Sequence, residues 1–183
     1  VGKTDKDGKP SGDKLLSDAE NGGSVHVNTG TLTLGSNGVK DKTGGTLAEV
    51  VLDEQGNLVI KNGDFTVERI ESDGTLHVTG GGSLTSNDVT LDKGDSKIDE
   101  GGVLVVEDGE SNGNLHIKGD GALTNEGTLI AGGKDSHVDT LVDGDLVNKG
   151  TGLYDDMTIT NGGHYHDTST GKDQGDKIDV AEG

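Results

Sequence analysis

A five-residue phrase recurs from Gly23 onward, and it limits what this chain can fold into more than any other feature. Glycine comes first, then usually a polar residue, an apolar side chain, a residue that is mostly polar, and an aliphatic. It reads GSVHV at 23–27, GTLTL at 30–34, GNLVI at 56–60, GDFTV at 63–67, GTLHV at 74–78, GVLVV at 102–106 and GNLHI at 113–117. Apolar groups at every second place are the period of a strand, not of a helix. Two side chains per phrase share one face and the intervening residues take the other. In GTLHV this predicts Leu76 and Val78 pointing inward, with Thr75, His77 and Thr79 outward.

Between the phrases lie DEQG (53–56), ESDG (71–74), DKGD (92–95) and GESNG (109–113), rich in residues that accept close turns. Strands this short, with corners this frequent, do not suit a sandwich, whose strands run longer and whose core draws on aromatic rings. The aromatic residues here are Phe65, Tyr154 and Tyr165. Stacked coils suit the pattern better: each coil buries a few aliphatics, and stability accumulates from contacts between neighbours. GSLTSN (82–87), GALTNE (121–126) and GDLVNK (144–149) are variants of one phrase, 39 and then 23 residues apart. Steps near 20, or twice that, fit a coil of three strands and three corners, which predicts roughly seven or eight coils over residues 23–183. GDGALTNEGTLIAGG (119–133) is then two strands with their corners, Leu123 and Leu129 facing inward.

Composition alone points elsewhere. With 27% hydrophobic residues and a net charge of -19, the chain approaches the profile of disorder. The alternation argues against that, and it also accounts for 34 glycines against one proline. No run reaches the ~18 apolar residues of a membrane helix, and the N-terminus lacks the basic and apolar regions of a signal peptide. Direct membrane insertion of this segment is not expected, and so acidic a chain is repelled by nucleic acid. Because it opens on Val1 and closes on Gly183, the sequence reads as a piece of something longer. Residues 1–22, which hold the one proline and lack the phrase, are expected to be a linker or polar N-terminal cap; 23–183 form the solenoid. DKLLSDAE (13–20) is the one legible helical turn, and KIDV (177–180) returns to strand after a polar excursion.

Chemical motifs are sparse. VGKT (1–4) resembles the end of a phosphate-binding loop but lacks its earlier glycine, its strand and its helix. The acidic stretches DKDG (5–8), DKGDSKIDE (92–100) and DGD (143–145) lack the carboxylate spacing of an EF-hand loop and read as solvated corners. His26, His77 and His116 fall at the same outward place of the phrase. His164 and His166 share one strand face, the spacing a strand offers a metal, and are the weak metal candidates. Two ligands do not complete a site, so no cofactor is expected. With no cysteine, one arginine (Arg69) and no Ser/His/Asp spacing, no catalytic residue stands out and no enzyme activity is expected.

The phrases GTLTL (31–34 with Gly30), GGTL (44–47), GGSLTSNDVTL (81–91) and GALTNEGTLIAGG (121–133), with the closing GDKIDVAEG (175–183), resemble passenger domains of bacterial autotransporter adhesins, the AIDA-like and pertactin-like group. The resemblance covers about 160 residues from Gly22 on and rests on repeat grammar. It implies an all-β fold, a right-handed parallel β-helix, carried through the outer membrane by a C-terminal β-barrel translocator in the parent chain and displayed on the bacterial cell surface. It also implies adhesion to a host surface protein or glycan, or to a second copy on another cell. LTNEGTLIAGG (123–133) is similar as well to repeats of filamentous haemagglutinin-type exoproteins, for which a passive stalk is the alternative role. A carbohydrate-active β-helix enzyme is the third reading.

Overall fold

A strand that buries two or three side chains is not stable alone, and this chain meets the difficulty by winding. The computed structural model describes residues 23–35, 45–107, 112–133, 136–160 and 162–169, and as backbone only the strands Lys3–Thr4, Pro10–Ser11 and Gln174–Val180. Among the described residues every regular element is a strand. Six complete turns stack at 45–60, 63–78, 82–98, 103–125, 128–148 and 151–167. A partial turn precedes them at Ser24–Leu34, and another follows at Gln174–Val180. The protein is an all-β parallel β-solenoid.

Each turn lays down three strand segments that pair in parallel with those of its neighbours, and so the rod has three faces. Face A holds 24–27, 49–52, 69–72, 88–91, 114–117, 139–142, 156–159 and 177–180. Face B holds 45–47, 63–67, 82–86, 103–106, 128–131 and 151–154. Face C holds 29–34, 55–60, 75–78, 93–98, 120–125, 145–148 and 164–167. KIDV is strand, as the sequence predicts, and pairs with Asp156–Ile159.

The expected inward residues are inward. Leu76 and Leu123 are 1% exposed, Val78 and Leu129 0%, and they stack in columns with the apolar residues of adjoining turns. On face C, Leu58, Leu76, Leu123 and Leu146 form one such column, interrupted by Ser96, whose Oγ accepts a hydrogen bond from the Leu76 amide at 3.1 Å. Fully burying each aliphatic contributes about 1.5–3 kcal/mol. A further column is polar: Asn125 and Asn148 replace the Ile98 of the turn below and are both buried. Asn125 Nδ2 donates to Asn148 Oδ1 at 2.7 Å and to the Thr151 carbonyl at 2.8 Å, while its Oδ1 accepts from the Gly127 amide at 3.1 Å. Burial of these amides is offset by bonds that tie one turn to the next.

Glycine marks the corner between faces A and C, where Gly30 registers with Gly56 and Gly94 with Gly121. A Cβ on Gly74 would overlap the Gly56 carbonyl, and one on Gly144 those of Gly121 and Lys118. Close stacking of corner on corner therefore excludes any side chain there. Several corners are not separate turns: Gly45–Ile60 and Gly82–Ile98 run as continuous extended chain that bends, with register shifts at Val27/Thr29 and Leu91/Lys93.

Register partners in successive turns lie from 17 residues apart (Asp139 and Asp156) to 27 apart (Lys93 and Asp120). Six turns close fully, and the partial turns at either end bring the rod close to the seven or eight coils expected from a constant step near 20. The phrase also proves to be a unit of one strand, not of one turn. GSLTSN lies on face B, whereas GALTNE and GDLVNK lie on face C, so the 23-residue step between the last two is one turn but the 39-residue step before it does not count whole turns. The linker or cap expected over 1–22 lies outside the described residues apart from the antiparallel pair Lys3–Thr4 with Pro10–Ser11. DKLLSDAE and the DKDG corner lie outside them too.

Candidate functional site

Because one residue in two points outward, each face carries two outer columns, and they differ sharply between faces. On face A the columns read Ser24, Glu49, Arg69, Asp88, Asn114, Asp139, Asp156, and His26, Val51, Glu71, Thr90, His116, Leu141, Thr158. On face B they read Thr46, Thr66, Thr85, Val105, Ile130, Leu153, and Asp64, Ser83, Val103, Thr128, Thr151. Asp64 is the one charged side chain on face B among the described residues. Face C is mixed, with Lys93, Lys97, His77, Asp145, His164 and His166 among Thr, Asn and Val.

Three of the outer histidines are turn-to-turn clasps. His26 meets Asp53 at 2.9 Å, His77 meets Asp99 at 2.8 Å and His116 meets Asp143 at 2.7 Å. In all three the aspartate stands two residues beyond the histidine's register partner in the next turn, so one diagonal geometry recurs. His26 and His116 share one column of face A, but His77 lies on face C, which corrects the equivalence expected from the phrase. Burial tends to raise the Asp99 carboxyl, and hydrogen bonds from Lys97 and His77 more than compensate, so it is held below its usual range. Asp143 is held low by its hydrogen bond with Thr160 and then by His116, with burial opposing. The acidic corners at 92–100 and 143–145 thus bond to neighbouring turns and are not merely solvated. Asp92 likewise takes Lys118 at 3.2 Å, and Glu126 takes Lys97 at 2.8 Å and Lys149 at 3.3 Å.

Face A also forms an open trough of about 670 Å³, lined by Arg69, Asp88, Thr90, His116, Asp139 and Asp156 among others. At its C-terminal end His137 meets Asp139 at 3.3 Å, Asp155 at 3.3 Å and Asp156 at 3.7 Å. One ligand atom each of His137, Asp139 and Asp156 lies within 4.8 Å of the others. Asp139 and Asp156 are direct register partners, so two like charges stand side by side beside a single imidazole. Gly132, at φ +105, lets the backbone pass against Asp155, where a Cβ would come within 2.6 Å of the Asp155 Cβ. Carboxylate oxygens with one imidazole nitrogen form a donor set suited to a hard or borderline divalent cation.

The sequence does not reveal this group, because Asp139 and Asp156 are neighbours only once the 17-residue turn between them is known. His164 and His166, the pair the sequence singles out, sit on the outer side of the His164–Asp167 strand, beside Asp145 and Val147 of the preceding turn. Both are exposed, and the structure brings no third histidine or carboxylate into a ligand group with them among the described residues. Compared with known proteins, the chain matches no family model, no curated protein and no solved structure.

Proposed function

We propose that this chain is a segment of a surface-displayed adhesin of the autotransporter passenger type, exported through the outer membrane to the bacterial cell surface. Its solenoid presents outer faces to a host surface protein or glycan, or to a second copy on another cell. The observation that carries this reading is the rod itself: six stacked turns build three parallel-stranded faces, each on the order of 30 Å long at the spacing of paired strands. Such a surface binds by many weak contacts spread along its length, not by enclosing a small molecule. The resemblance of the repeat phrases to autotransporter passengers supports the same reading and supplies the route to the surface.

The test is an exchange in the parent protein. Replacing residues 45–167 with an unrelated solenoid of equal length should abolish adhesion or aggregation of the displaying cells while leaving surface display intact. Retained adhesion would make the segment a passive stalk in a surface or filamentous haemagglutinin-type exoprotein.

A further inference from the structure

We propose that face B is a docking surface for face B of a second copy, an assignment that rests on the self-association form of the reading above. Charge selects the face. Two chains of net charge -19 repel one another, and faces A and C would bring carboxylates on one rod towards carboxylates on the other. Along face B one outer column runs Thr46, Thr66, Thr85, Val105, Ile130, Leu153, uncharged from end to end, and the other carries a single charge, Asp64, at its N-terminal end. In a chain with 27% charged residues, so long a neutral strip is where two copies approach at least electrostatic cost.

Its surroundings have the anatomy of an interface, an apolar strip with a charged rim. Glu100, Glu126 and Lys149 line the corner on one side, where Lys149 meets Glu126 at 3.3 Å. Glu68, Glu107 and Asp155 occupy the corner positions on the other. The hydroxyl end and the aliphatic end are also distinct. The three N-terminal turns present threonine in this column, and the three that follow present Val105, Ile130 and Leu153, half-buried by their own neighbours.

Size determines the strength. Six rungs by two outer residues span roughly 30 Å by 13 Å, about half the area a standard stable interface covers per partner. A single pair of rods is therefore held weakly, with contact concentrated on the aliphatic end. Many rods displayed on apposed surfaces would hold firmly through multivalency. The acidic rims oppose contact, so screening by salt strengthens it.

The absence of cysteine makes the test direct, because an introduced thiol is the only one present. Purified chain is followed by sedimentation across a concentration series at low and high salt, and single-cysteine variants are oxidised under the same conditions. Val105→Cys and Ile130→Cys should form disulfide-linked dimers, whereas Thr90→Cys on face A and Thr124→Cys on face C should not. Ile130→Glu should weaken association about tenfold or more, while Thr90→Glu leaves it unchanged; circular dichroism confirms sheet content in every variant. Cross-linking through face A or C instead would overturn the assignment but keep self-association. A chain that stays monomeric at every concentration and salt would overturn the assignment and self-association together, and the exchange experiment would still judge host adhesion separately.

Discussion

Face A and face B share their inner architecture and part company on the outside. Inward, each stacks aliphatics at alternate positions: Val50, Ile70, Val89 and Leu115 under face A, Leu84, Leu104 and Leu129 under face B, all 0% exposed. Outward, face A is held by bonds between turns, among them His116 with Asp143 and Asn114 with Asp88 at 2.9 Å. Face B has Thr, Ser, Val, Ile and Leu with the single carboxylate of Asp64. The difference teaches that a solenoid face needs its inner columns to exist, and that its outer columns are free to carry function.

The largest expected effect tests the shared interior. Leu115→Ala under face A and Leu104→Ala under face B should each cost about 2–5 kcal/mol in denaturant unfolding, through lost burial and the cavity left behind. A mild effect on one face and a severe one on the other would break the comparison from the inside.

Next come the outer bonds. His116→Ala should cost about 1 kcal/mol, reduced from the usual worth of a hydrogen bond to a charged group by partial exposure. Because the Asp143 carboxyl is held below its ordinary value of 3.8, it contributes stability that is fully present above that value and lost as the pH falls through its lower folded value. Denaturation curves taken from about pH 5 downward should fall more steeply for the wild type than for Asp143→Asn. Parallel slopes would mean that the face A clasp does not contribute.

Inside face A, Thr140 is 1% exposed and its hydroxyl has no hydrogen-bond partner among the described residues. Thr140→Val should raise stability by up to about 1 kcal/mol, since it removes an unsatisfied polar group at nearly constant shape. The smallest effect belongs to the outside of face B. Ile130→Thr should change monomer stability by no more than about 0.5 kcal/mol. A larger loss would show that the outer column is part of the core and not a surface free to bind.

Much of the fold is legible in the residues. Leu76, Val78, Leu123 and Leu129 face inward because alternation leaves them no other place once one side is buried. Less of the candidate site is legible. His137, Asp139, Asp155 and Asp156 come from two turns and lie together only through parallel register, and nothing in HVD or YDD announces that pairing. His77 shows the same gap from the other direction: it stands in the same phrase as His116 but on another face.

By itself the sequence determined that this is a strand-built rod, which side chains fill it and where its corners fall, since period-two alternation and glycine spacing are local properties of the chain. Only the tertiary structure decided which face each strand occupies, how many turns close and which charges meet. The physical reason is that the same short phrase fits all three faces equally well. Corners of differing length then accumulate around each turn and set the register, and register alone determines what lies beside what.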